Sequence, residues 1–363
     1  MNDYSEFVLD SNISCPNEGS IVWESPSNIA LIKYWGKKEH QIPSNPSISF
    51  TLNNCKTITK LSYKKLAIAK EGFDVEVFLD GEKKDDFKPK IITFFERVVA
   101  YVPFIKNYSF VIETKNTFPH SSGIASSASG MSALALCLMS IEKEINPAIS
   151  TLAFNRKASF LARLGSGSAS RSIEGPIMCW GRHSEIPNSE DFLAIKYPFK
   201  VHENFNNFQD TILLIDKGEK QVSSTVGHNL MHNHPFAVQR FDQAHKNMSQ
   251  LKEILESGNL KQFIEIVESE ALTLHAMMMT SMPYFILMRP NTLEVIQKIW
   301  AYRARTNSNI CFTLDAGANV HILYPDNEKE QIMDFITSEL VVYCQNEQYI
   351  CDSAGFGAKN LNI

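Results

Sequence analysis

The chain has 363 residues, of which 44% are hydrophobic, and its 35 Lys and Arg against 40 Asp and Glu give a formal net charge of −5. This length and apolar content allow two cores of ordinary domain size, and the lack of a basic block argues against a nucleic-acid-binding surface. No run of about 18 apolar residues occurs, so we expect no membrane-spanning helix.

The seven cysteines are odd in number, scattered, and never spaced as Cys-x-x-Cys. This pattern is typical neither of a disulfide framework nor of a zinc site. Because cytosolic thiols are kept reduced, we expect a cytoplasmic protein whose cysteines are free.

Three regions differ in composition along the chain. Residues 1–20 are polar with little periodicity, which predicts a loosely packed arm. Residues 21–200 and 201–363 are predicted to form two domains, because the pattern changes between Tyr197 and Phe208. We therefore expect a molecule of two lobes.

Alternating apolar and polar residues predict strands in the first domain. The turn Pro26-Ser27-Asn28 is expected to end the first strand, and Asp80-Gly81 to form a hairpin turn. The early strands are expected to pair into one antiparallel sheet. The predicted elements of this part are strands over 20–24, 46–52, 57–63, 75–79 and 108–113, and a helix from Pro89.

Lys33 lies inside the apolar run from Ile29 to Trp35. An unpaired ammonium is costly to bury, so a buried Lys33 would need an anionic partner. The alternative is a surface lysine whose stem covers apolar area while its ammonium stays in water. This segment alone favours neither interpretation.

A loop rich in serine and glycine, Pro119 to Gly130, precedes an apolar run from Met131 to Met139. The backbone N–H groups of such a loop can converge on an anion, and the positive end of the following helix lies at the same place. The loop has neither the order of a Walker loop nor the Gly-x-Gly-x-x-Gly of dinucleotide-binding folds. It predicts a phosphate site, with a tight turn as the alternative.

A second small-residue segment, Gly165 to Ser172, follows a helix predicted over 150–162. Small residues let a backbone approach a ligand closely, and Arg171 supplies a fork that suits a carboxylate or a phosphate. The alternative is a flexible linker. The strand-like sequence over 177–181 that follows favours a ligand-binding turn.

The second domain is predicted to combine strands with long helices. Asp315 precedes a glycine between two predicted strands, a sequence that usually forms only a turn. It becomes a candidate site residue only because Lys33 and Arg171 are candidates as well. His275 and the Met277–Met279 run are interpreted as core packing rather than a metal or cofactor site. The predicted elements are strands over 211–215, 311–314 and 320–324, helices over 240–255, 260–279 and 291–306, and a frayed tail over 351–363.

Three of these motifs together resemble the GHMP kinase superfamily and, within it, the mevalonate diphosphate decarboxylases. Asn28 to Lys37 is similar to the opening signature of those decarboxylases, Pro119 to Ala128 to the superfamily's phosphate loop, and Gly165 to Ser172 to the decarboxylase Gly-Ser-Gly-Ser-Ala-x-Arg-Ser segment. The resemblance covers about Ile21 to Pro325. Further matches in the same order are Val222 to Thr225, Glu268-Ser269 with His275-Ala276, and Asp315 to Asn319.

The resemblance implies an α+β fold of two lobes, the GHMP kinase fold, with helices packed on antiparallel sheets and the active cleft between the lobes. It implies an enzyme that uses ATP and Mg²⁺ to convert mevalonate 5-diphosphate to isopentenyl diphosphate, ADP, phosphate and CO₂. This reaction is a step of the mevalonate pathway of isoprenoid biosynthesis. A homodimer with a small-molecule substrate, and with neither nucleic-acid nor membrane partners, is expected.

The same resemblance implies roles for individual residues. Asp315, Lys33 and Arg171 fall on the family's catalytic positions. The substrate-binding positions are Tyr34, Lys37, Ser166, Ser168, Ser224 and Thr225. The ATP-binding positions are Ser122, Gly123, Ile124, Ala125, Ser126 and Ser127. No metal ligand is assigned, although the hydroxyls of Ser126 and Ser127 are candidates for Mg²⁺.

The chain departs from the family pattern where many members carry an arginine near the substrate diphosphate, in the segment Asp-Arg-x-Trp-Leu-Asn-Gly. The corresponding segment, Val75 to Gly81, contains no basic residue, and His228 replaces a usual Met. A decarboxylase acting on mevalonate 5-phosphate is therefore the nearest alternative. A GHMP small-molecule kinase that stops after phosphorylation and an ATP-binding protein without turnover are the others.

Overall fold

The computed structural model describes residues 4–9, 16–68, 71–119, 124–216 and 224–362. Within these ranges, twelve strands and eight α-helices build two sheets with helices packed on them, which confirms the α+β class. The strands are β1 Glu18–Ile32, β2 Ser47–Lys65, β3 Asp74–Leu79, β4 Glu82–Lys83, β5 Tyr108–Asn116, β6 Ile177–Trp180, β7 Ile195–Lys196, β8 Gln209–Leu213, β9 Cys311–Thr313, β10 Val320–Tyr324, β11 Tyr349–Ser353 and β12 Lys359–Asn360. The helices are α1 Lys88–Val98, α2 Ser126–Ile145, α3 Thr151–Gly165, α4 Ser224–Asn229, α5 Ala237–Ser257, α6 Leu260–Met279, α7 Pro290–Thr306 and α8 Lys329–Phe335.

The first sheet has the strand order β12-β1-β2-β5-β3-β4, with β6 paired to β2 and β7 paired to β6. Its ladders are antiparallel except that of β3 with β5, which is parallel and sets Val75 beside Phe110. The prediction of one antiparallel sheet is wrong at this pair. The chain passes through α1 between the two strands and returns in the same direction, as a parallel pair requires.

Two strands of this sheet run further than predicted. β1 continues through Pro26, and its ladder with β2 shifts register between Pro26 and Asn28. Such irregularities are places where a sheet tolerates proline, which has no N–H to donate to a ladder. β2 joins the strands predicted over 46–52 and 57–63, pairing first with β6 and then with β5. The predicted turn and the predicted break are therefore wrong.

The tail belongs to both sheets, so the prediction of a frayed end is wrong. β11 pairs with β8 in the second sheet, whose order is β11-β8-β10-β9, and β12 pairs with β1 in the first. Within β11, the buried carboxylate of Asp352 accepts hydrogen bonds from the amides of Asn53, Asn54 and Cys55 at 2.7–2.8 Å. These bonds tie the tail to the middle of β2.

The N-terminal arm is also packed more closely than predicted. Phe7 is buried, with its ring centroid 4.8 Å from that of Phe160, and residues 18–20 already belong to β1. The cysteines that the structure describes are free thiols, as expected. In the described ranges, none of the helices is both long enough and apolar enough to cross a bilayer.

A shared apolar core joins the two sheets. Phe50 of β2 packs against Phe208 and against Phe263 of α6, with ring centroids 5.9 and 6.5 Å apart. Because α5 and α6 pack against the first sheet at this core, residues from the second half of the chain lie beside the end of β1. The residue at that end is Lys33.

Candidate active site

Lys33 directly follows β1, and only 2% of its side chain is exposed. Its Nζ lies 3.2 Å from Oδ1 of Asp315, which follows β9 and is 282 residues away in the sequence. Burial lowers the pKa of Lys33, whereas the negative charges of Asp315 and Glu270 raise it. The predicted need for an anionic partner is confirmed, and the surface-lysine alternative is wrong.

Arg171 lies in the 3-10 turn Gly167–Ser172 and is 3% exposed. Its Nε and Nη2 donate to Oδ1 of Asn28 at 3.4 and 3.2 Å, and its Nη1 donates to Oγ of Ser47. The ring of Trp180 lies 5.9 Å from the guanidinium carbon. These contacts use three of its five N–H donors. A side chain held in this way excludes the flexible-linker alternative.

The three side chains predicted to be catalytic are close enough for their charges to influence one another. Burial lowers the pKa of Arg171 to about 10, and the negative charge of Asp315 opposes this effect. The positive charge of Arg171 in turn adds to the lowering of the pKa of Lys33. An ammonium, a guanidinium and a carboxylate from distant parts of the chain therefore converge between the two sheets.

Aromatic rings form one wall of this site. The Tyr34 ring centroid lies 4.6 Å from that of Trp180 and 4.2 Å from that of His228. The hydroxyl of Tyr34 is buried and has no hydrogen-bond partner within the described ranges. Burying an unpaired hydroxyl costs free energy, which a ligand could recover by bonding to it. Glycine is needed at Gly167, since a Cβ there would lie 2.8 Å from the Tyr34 hydroxyl oxygen.

His228, in α4, is a neutral imidazole at this wall. Burial lowers its pKa to about 3, and the positive charges of Lys37 and Arg171 add to the effect. Its Nδ1 accepts the N–H of Gly36 at 3.0 Å, so its proton is on Nε2. The imidazole can therefore donate one hydrogen bond without adding a charge to the site.

Lys37 supplies a further positive charge close to this wall. Its Nζ lies 3.1 Å from Oε1 of Gln41. Partial burial lowers the pKa of Lys37, and the charge of Arg97 adds to the lowering. The effect of Lys37 on His228 places this predicted substrate-binding residue within electrostatic reach of the site.

Two serines connect the small-residue turn to the rest of the site. Ser166 Oγ lies 3.3 Å from Oγ of Ser127, in the first turn of α2. The carbonyl of Ser168 accepts a hydrogen bond from Nδ2 of Asn28 at 3.2 Å, and Asn28 also binds Arg171. The predicted substrate turn and the predicted phosphate loop are thus in contact.

The start of α2 has the features of an anion site. Ala125, the residue before the helix, has left-handed backbone angles (φ 42°, ψ 39°), and no side chain of the described residues caps the helix. A left-handed conformation costs a residue other than glycine about 1–2 kcal/mol. The uncapped N–H groups of a first helical turn attract anions. The carbonyl of Ile124 accepts Oγ–H of Ser27 at 2.6 Å, which anchors the end of the loop to β1.

Four predicted residues lie wholly or partly outside the described part of the structure. Ser122 and Gly123 lie outside the described residues. Ser224 and Thr225 belong to α4, but their side chains lie outside the described part of the structure.

His275 was interpreted as core packing, and it is buried, as are Met277 and Met278. This interpretation is confirmed for those three residues, whereas Met279 is exposed. His275 has a further contact that its sequence context does not indicate. Its Nε2 donates to the carbonyl of Asp315 at 3.2 Å, which fixes the backbone of that residue.

Sequence reasoning missed three residues that hold the site together. Asn28 stands in the opening motif, so its position gave a signal, but its bonds to Arg171 were not expected. Arg240 and Glu270 contact the backbone of Lys33 from α5 and α6. Charged residues in long amphipathic helices usually form the solvated face, so no sequence signal marked this pair.

Two family models match the chain. Residues 25–192 match the diphosphomevalonate decarboxylase-like N-terminal domain, and residues 211–359 match the mevalonate 5-diphosphate decarboxylase C-terminal domain. Together the two models span most of the chain.

Individual proteins show the same similarity. The diphosphomevalonate decarboxylase of Ganoderma lucidum is 28% identical over 329 residues, which cover 86% of this chain and 80% of that protein. The solved structure of MDDEF in complex with MVAPP, AMPPCP and magnesium has a TM-score of 0.81 at 28% identity, over 95% of this chain and 100% of that one. Mevalonate diphosphate decarboxylase from Staphylococcus aureus has a TM-score of 0.80 at 29% identity, over 95% and 98% of the two chains.

Proposed function

The chain belongs to the mevalonate diphosphate decarboxylase family of the GHMP kinase superfamily, and on this premise we propose its reaction and the residues that carry it. The reaction is the ATP- and Mg²⁺-dependent decarboxylation of mevalonate 5-diphosphate to isopentenyl diphosphate, with release of ADP, phosphate and CO₂. One observation supports the assignment of the catalytic roles to particular residues. Buried Lys33 contacts Asp315 at 3.2 Å, within electrostatic reach of Arg171.

The chemistry of the substrate explains why these three side chains are needed together. A carboxylate leaves a saturated chain as CO₂ only when a leaving group departs from the β carbon. The tertiary hydroxyl becomes such a group once phosphorylated, and ATP with Mg²⁺ supplies the phosphoryl group when bound. Departure of the phosphate places positive charge beside the carboxylate, and loss of CO₂ converts it to an alkene. The protein must align the reactants and stabilise the shifting charge.

Each catalytic side chain is proposed to take one of these tasks. Lys33 neutralises the transferring phosphoryl group, whose loose transition state is stabilised mainly by electrostatics. Arg171, with one edge fixed by Asn28, uses its remaining N–H donors to orient the substrate carboxylate. Asp315, whose side chain is 26% exposed beside the buried lysine, accepts the hydroxyl proton or stabilises the developing cation.

The substrate is proposed to contact the wall around Tyr34. The Tyr34 hydroxyl, which has no partner among the described residues, and the Lys37 ammonium can both donate hydrogen bonds to anionic oxygens. Lys37 also adds the positive charge that a phosphate tail needs. The remaining proposed substrate-binding residues are Ser166, Ser168, Ser224 and Thr225.

The phosphates of ATP are proposed to bind the loop from Ser122 to Ser127 and the first turn of α2. A cavity of about 200 Å³ adjoins that turn and is proposed to hold the nucleoside, because it combines apolar side chains with a few hydroxyls, an amide and the ammonium of Lys90. Its lining includes Ser126, Ser127, Gly130 and Met131 of α2, Val77 and Leu79 of β3, Ile91 of α1, and Thr57, Thr59, Thr114 and Asn116 of the sheet.

The residues present fit a Mg²⁺ ion that is bound mainly by the phosphates of ATP. Across the described ranges, no three His, Cys, Asp or Glu side chains are grouped as a metal site would require. Mg²⁺ usually keeps several waters and binds substrate phosphates with only one or two protein ligands. Ser126 and Ser127, at the proposed phosphate site, are the proposed sources of a hydroxyl ligand.

We also propose that the chain consists of an N-terminal domain over 21–200 and a C-terminal domain over 201–363, and that it forms a homodimer. The family models support the domain division by their limits, 25–192 and 211–359.

Exposed apolar side chains support the dimer, because such surfaces are usually covered by a partner. They lie around the start of α5 and after α6, and include Phe236, Val238, Met282, Tyr284 and Ile286.

The first test supplies mevalonate, its 5-phosphate and its 5-diphosphate in parallel and measures ADP and CO₂ release. We expect equal amounts of both products with the 5-diphosphate. Turnover of the 5-phosphate alone would contradict the substrate assignment and leave the chemistry intact. ADP without CO₂ would identify a kinase, and no turnover of any compound would indicate an ATP-binding protein.

Asp315→Asn keeps the shape of the side chain and removes its charge. We expect kcat to fall by about 10³-fold, because neither a proton acceptor nor a negative charge remains beside the reacting carbon. Binding of a non-hydrolysable ATP analogue, measured by calorimetry, should be nearly unchanged. Asp334→Asn, the same change at an exposed position of α8, is the control. Near-normal turnover of Asp315→Asn would remove Asp315 from the mechanism.

Gly130→Leu tests the proposed nucleoside cavity. A Cβ at Gly130 would meet no atom within 4 Å, so a larger side chain can enter the cavity without disturbing the helix. We expect the KM for ATP to rise by about tenfold or more, while the KM for the 5-diphosphate stays within twofold of its original value. Gly130→Ala should leave both unchanged. A Gly130→Leu enzyme with an unchanged KM for ATP would place the nucleoside elsewhere.

The homodimer is tested by sedimentation equilibrium. We expect a species of about twice the chain mass of 41.0 kDa at micromolar concentration. Met282→Lys should shift it toward the monomer, since a charge would have to be buried in the interface. Val342→Lys, at another exposed apolar position, should not. A wild-type monomer would contradict the dimer, and a Met282→Lys dimer would contradict the proposed surface.

A further inference from the structure

A buried ion pair holds the place where β1 ends. Arg240 in α5 and Glu270 in α6 both have side-chain exposures of 0%. Nη1 and Nη2 of Arg240 donate to Oε1 and Oε2 of Glu270 at 2.9 and 2.5 Å. Asn247 donates to the same carboxylate at 2.6 Å. This bidentate geometry fixes both side chains relative to the two helices.

Both members of the pair also bind the main chain of Lys33. The Lys33 N–H donates to Glu270 Oε2 at 2.9 Å, and Arg240 Nη2 donates to the Lys33 carbonyl at 3.1 Å. Asn45 donates to that carbonyl as well, at 2.9 Å. The ladder of β1 with β2 ends at Ile32. The two helices therefore provide, one residue further on, the hydrogen bonds that a neighbouring strand would have made.

Stability alone does not explain this pair. Burying two charges costs about as much free energy as their attraction returns, and apolar residues of similar volume often stabilise a core equally well. An apolar pair, however, could not bind the N–H and the carbonyl of Lys33. The forked charged pair binds both groups, and these contacts fix the backbone of the proposed catalytic lysine.

We propose that Arg240 and Glu270 are positioning residues, which hold the backbone of Lys33 so that its ammonium reaches Asp315 and the transferring phosphoryl group. The proposal rests on the proposed function of Lys33. Through these two residues, α5 and α6 would contribute to catalysis in addition to Asp315. The negative charge of Glu270 also raises the pKa of Lys33 against the lowering caused by burial, which favours the ammonium form.

The chain contains a matched control for this pair. Lys157 in α3 and Glu142 in α2 form a buried ion pair at 2.5 Å, with side-chain exposures of 5% and 4%. Lys157 also donates to a backbone carbonyl, that of Tyr101, at 3.0 Å. This pair is likewise a buried ion pair that binds a main-chain carbonyl, although its lysine has no bidentate fork, and the residue that it binds, Tyr101, is not part of the proposed site.

The test compares Arg240→Lys and Glu270→Gln with Glu142→Gln. Arg240→Lys keeps the positive charge and loses the bidentate guanidinium. We expect kcat to fall by about 10- to 100-fold, since a 1 Å misplacement of a catalytic group can cost that much. The KM for ATP should stay within twofold of the wild-type value. Glu270→Gln should have an effect of the same kind. Glu142→Gln should lower the melting temperature and leave kcat per folded enzyme within twofold of the wild-type value, with circular dichroism reporting the folded fraction.

A double-mutant cycle with Lys33→Met separates positioning from a general structural role. If Arg240 acts through Lys33, Arg240→Lys lowers kcat in the wild-type background and has no further effect in Lys33→Met, measured by single-turnover CO₂ release. An equal loss in both backgrounds would overturn the proposal, as would an unchanged kcat in Arg240→Lys. Near-normal turnover of Lys33→Met would instead contradict the proposed role of Lys33.

Discussion

A positive charge buried at the end of β1 is the constraint on which the site depends. An ammonium removed from water must be compensated by opposite charge and hydrogen bonds, or it becomes neutral. For Lys33, the compensation comes from Asp315 at 3.2 Å and from the more distant charge of Glu270. Both carboxylates belong to the second half of the chain, whereas Arg171 belongs to the first. The charged centre therefore exists only where α6 and the segment after β9 pack against the first sheet. The site forms only if the two halves of the chain pack together.

The sequence predicted well those features that depend on near neighbours along the chain. The helix predicted over 260–279 is α6 as observed, and the helix predicted over 291–306 differs from α7 by one residue, because apolar periodicity and the flanking proline are local signals. The requirement that Lys33 find an anion followed from the free energy of burial alone. The identity of that anion did not, because an Asp before Gly is ordinary turn chemistry until its distance from Lys33 is known.

What the sequence could not predict depends on contacts between distant segments. The tail is polar and irregular in sequence, yet its Asp352 binds the amides of Asn53 and Asn54, at the predicted break between two strands. One carboxylate thus accounts for two errors, since it orders the tail and satisfies backbone groups in the middle of β2. The parallel pairing of β3 with β5 was missed for a related reason, because strand direction depends on the crossover between strands and not on their composition. Arg240 and Glu270 were missed because a helix pattern shows that charge is present but not that it is paired and buried.

The distribution of charge around the site agrees with a substrate that carries several negative charges. Lys33, Arg171 and Lys37 bring three cations, and the proposed substrate brings a carboxylate and phosphate oxygens to meet them. A fourth cation at His228 would oppose the positive charge that appears when the phosphate departs. Burial, with the nearby lysine and arginine, lowers the pKa of His228 to about 3, so the imidazole is neutral throughout the physiological range. A neutral ring against Tyr34 can still donate a hydrogen bond from Nε2. Burial therefore keeps His228 uncharged at the wall around Tyr34, and the site gains a polar contact there without a further cation that would disfavour the transition state.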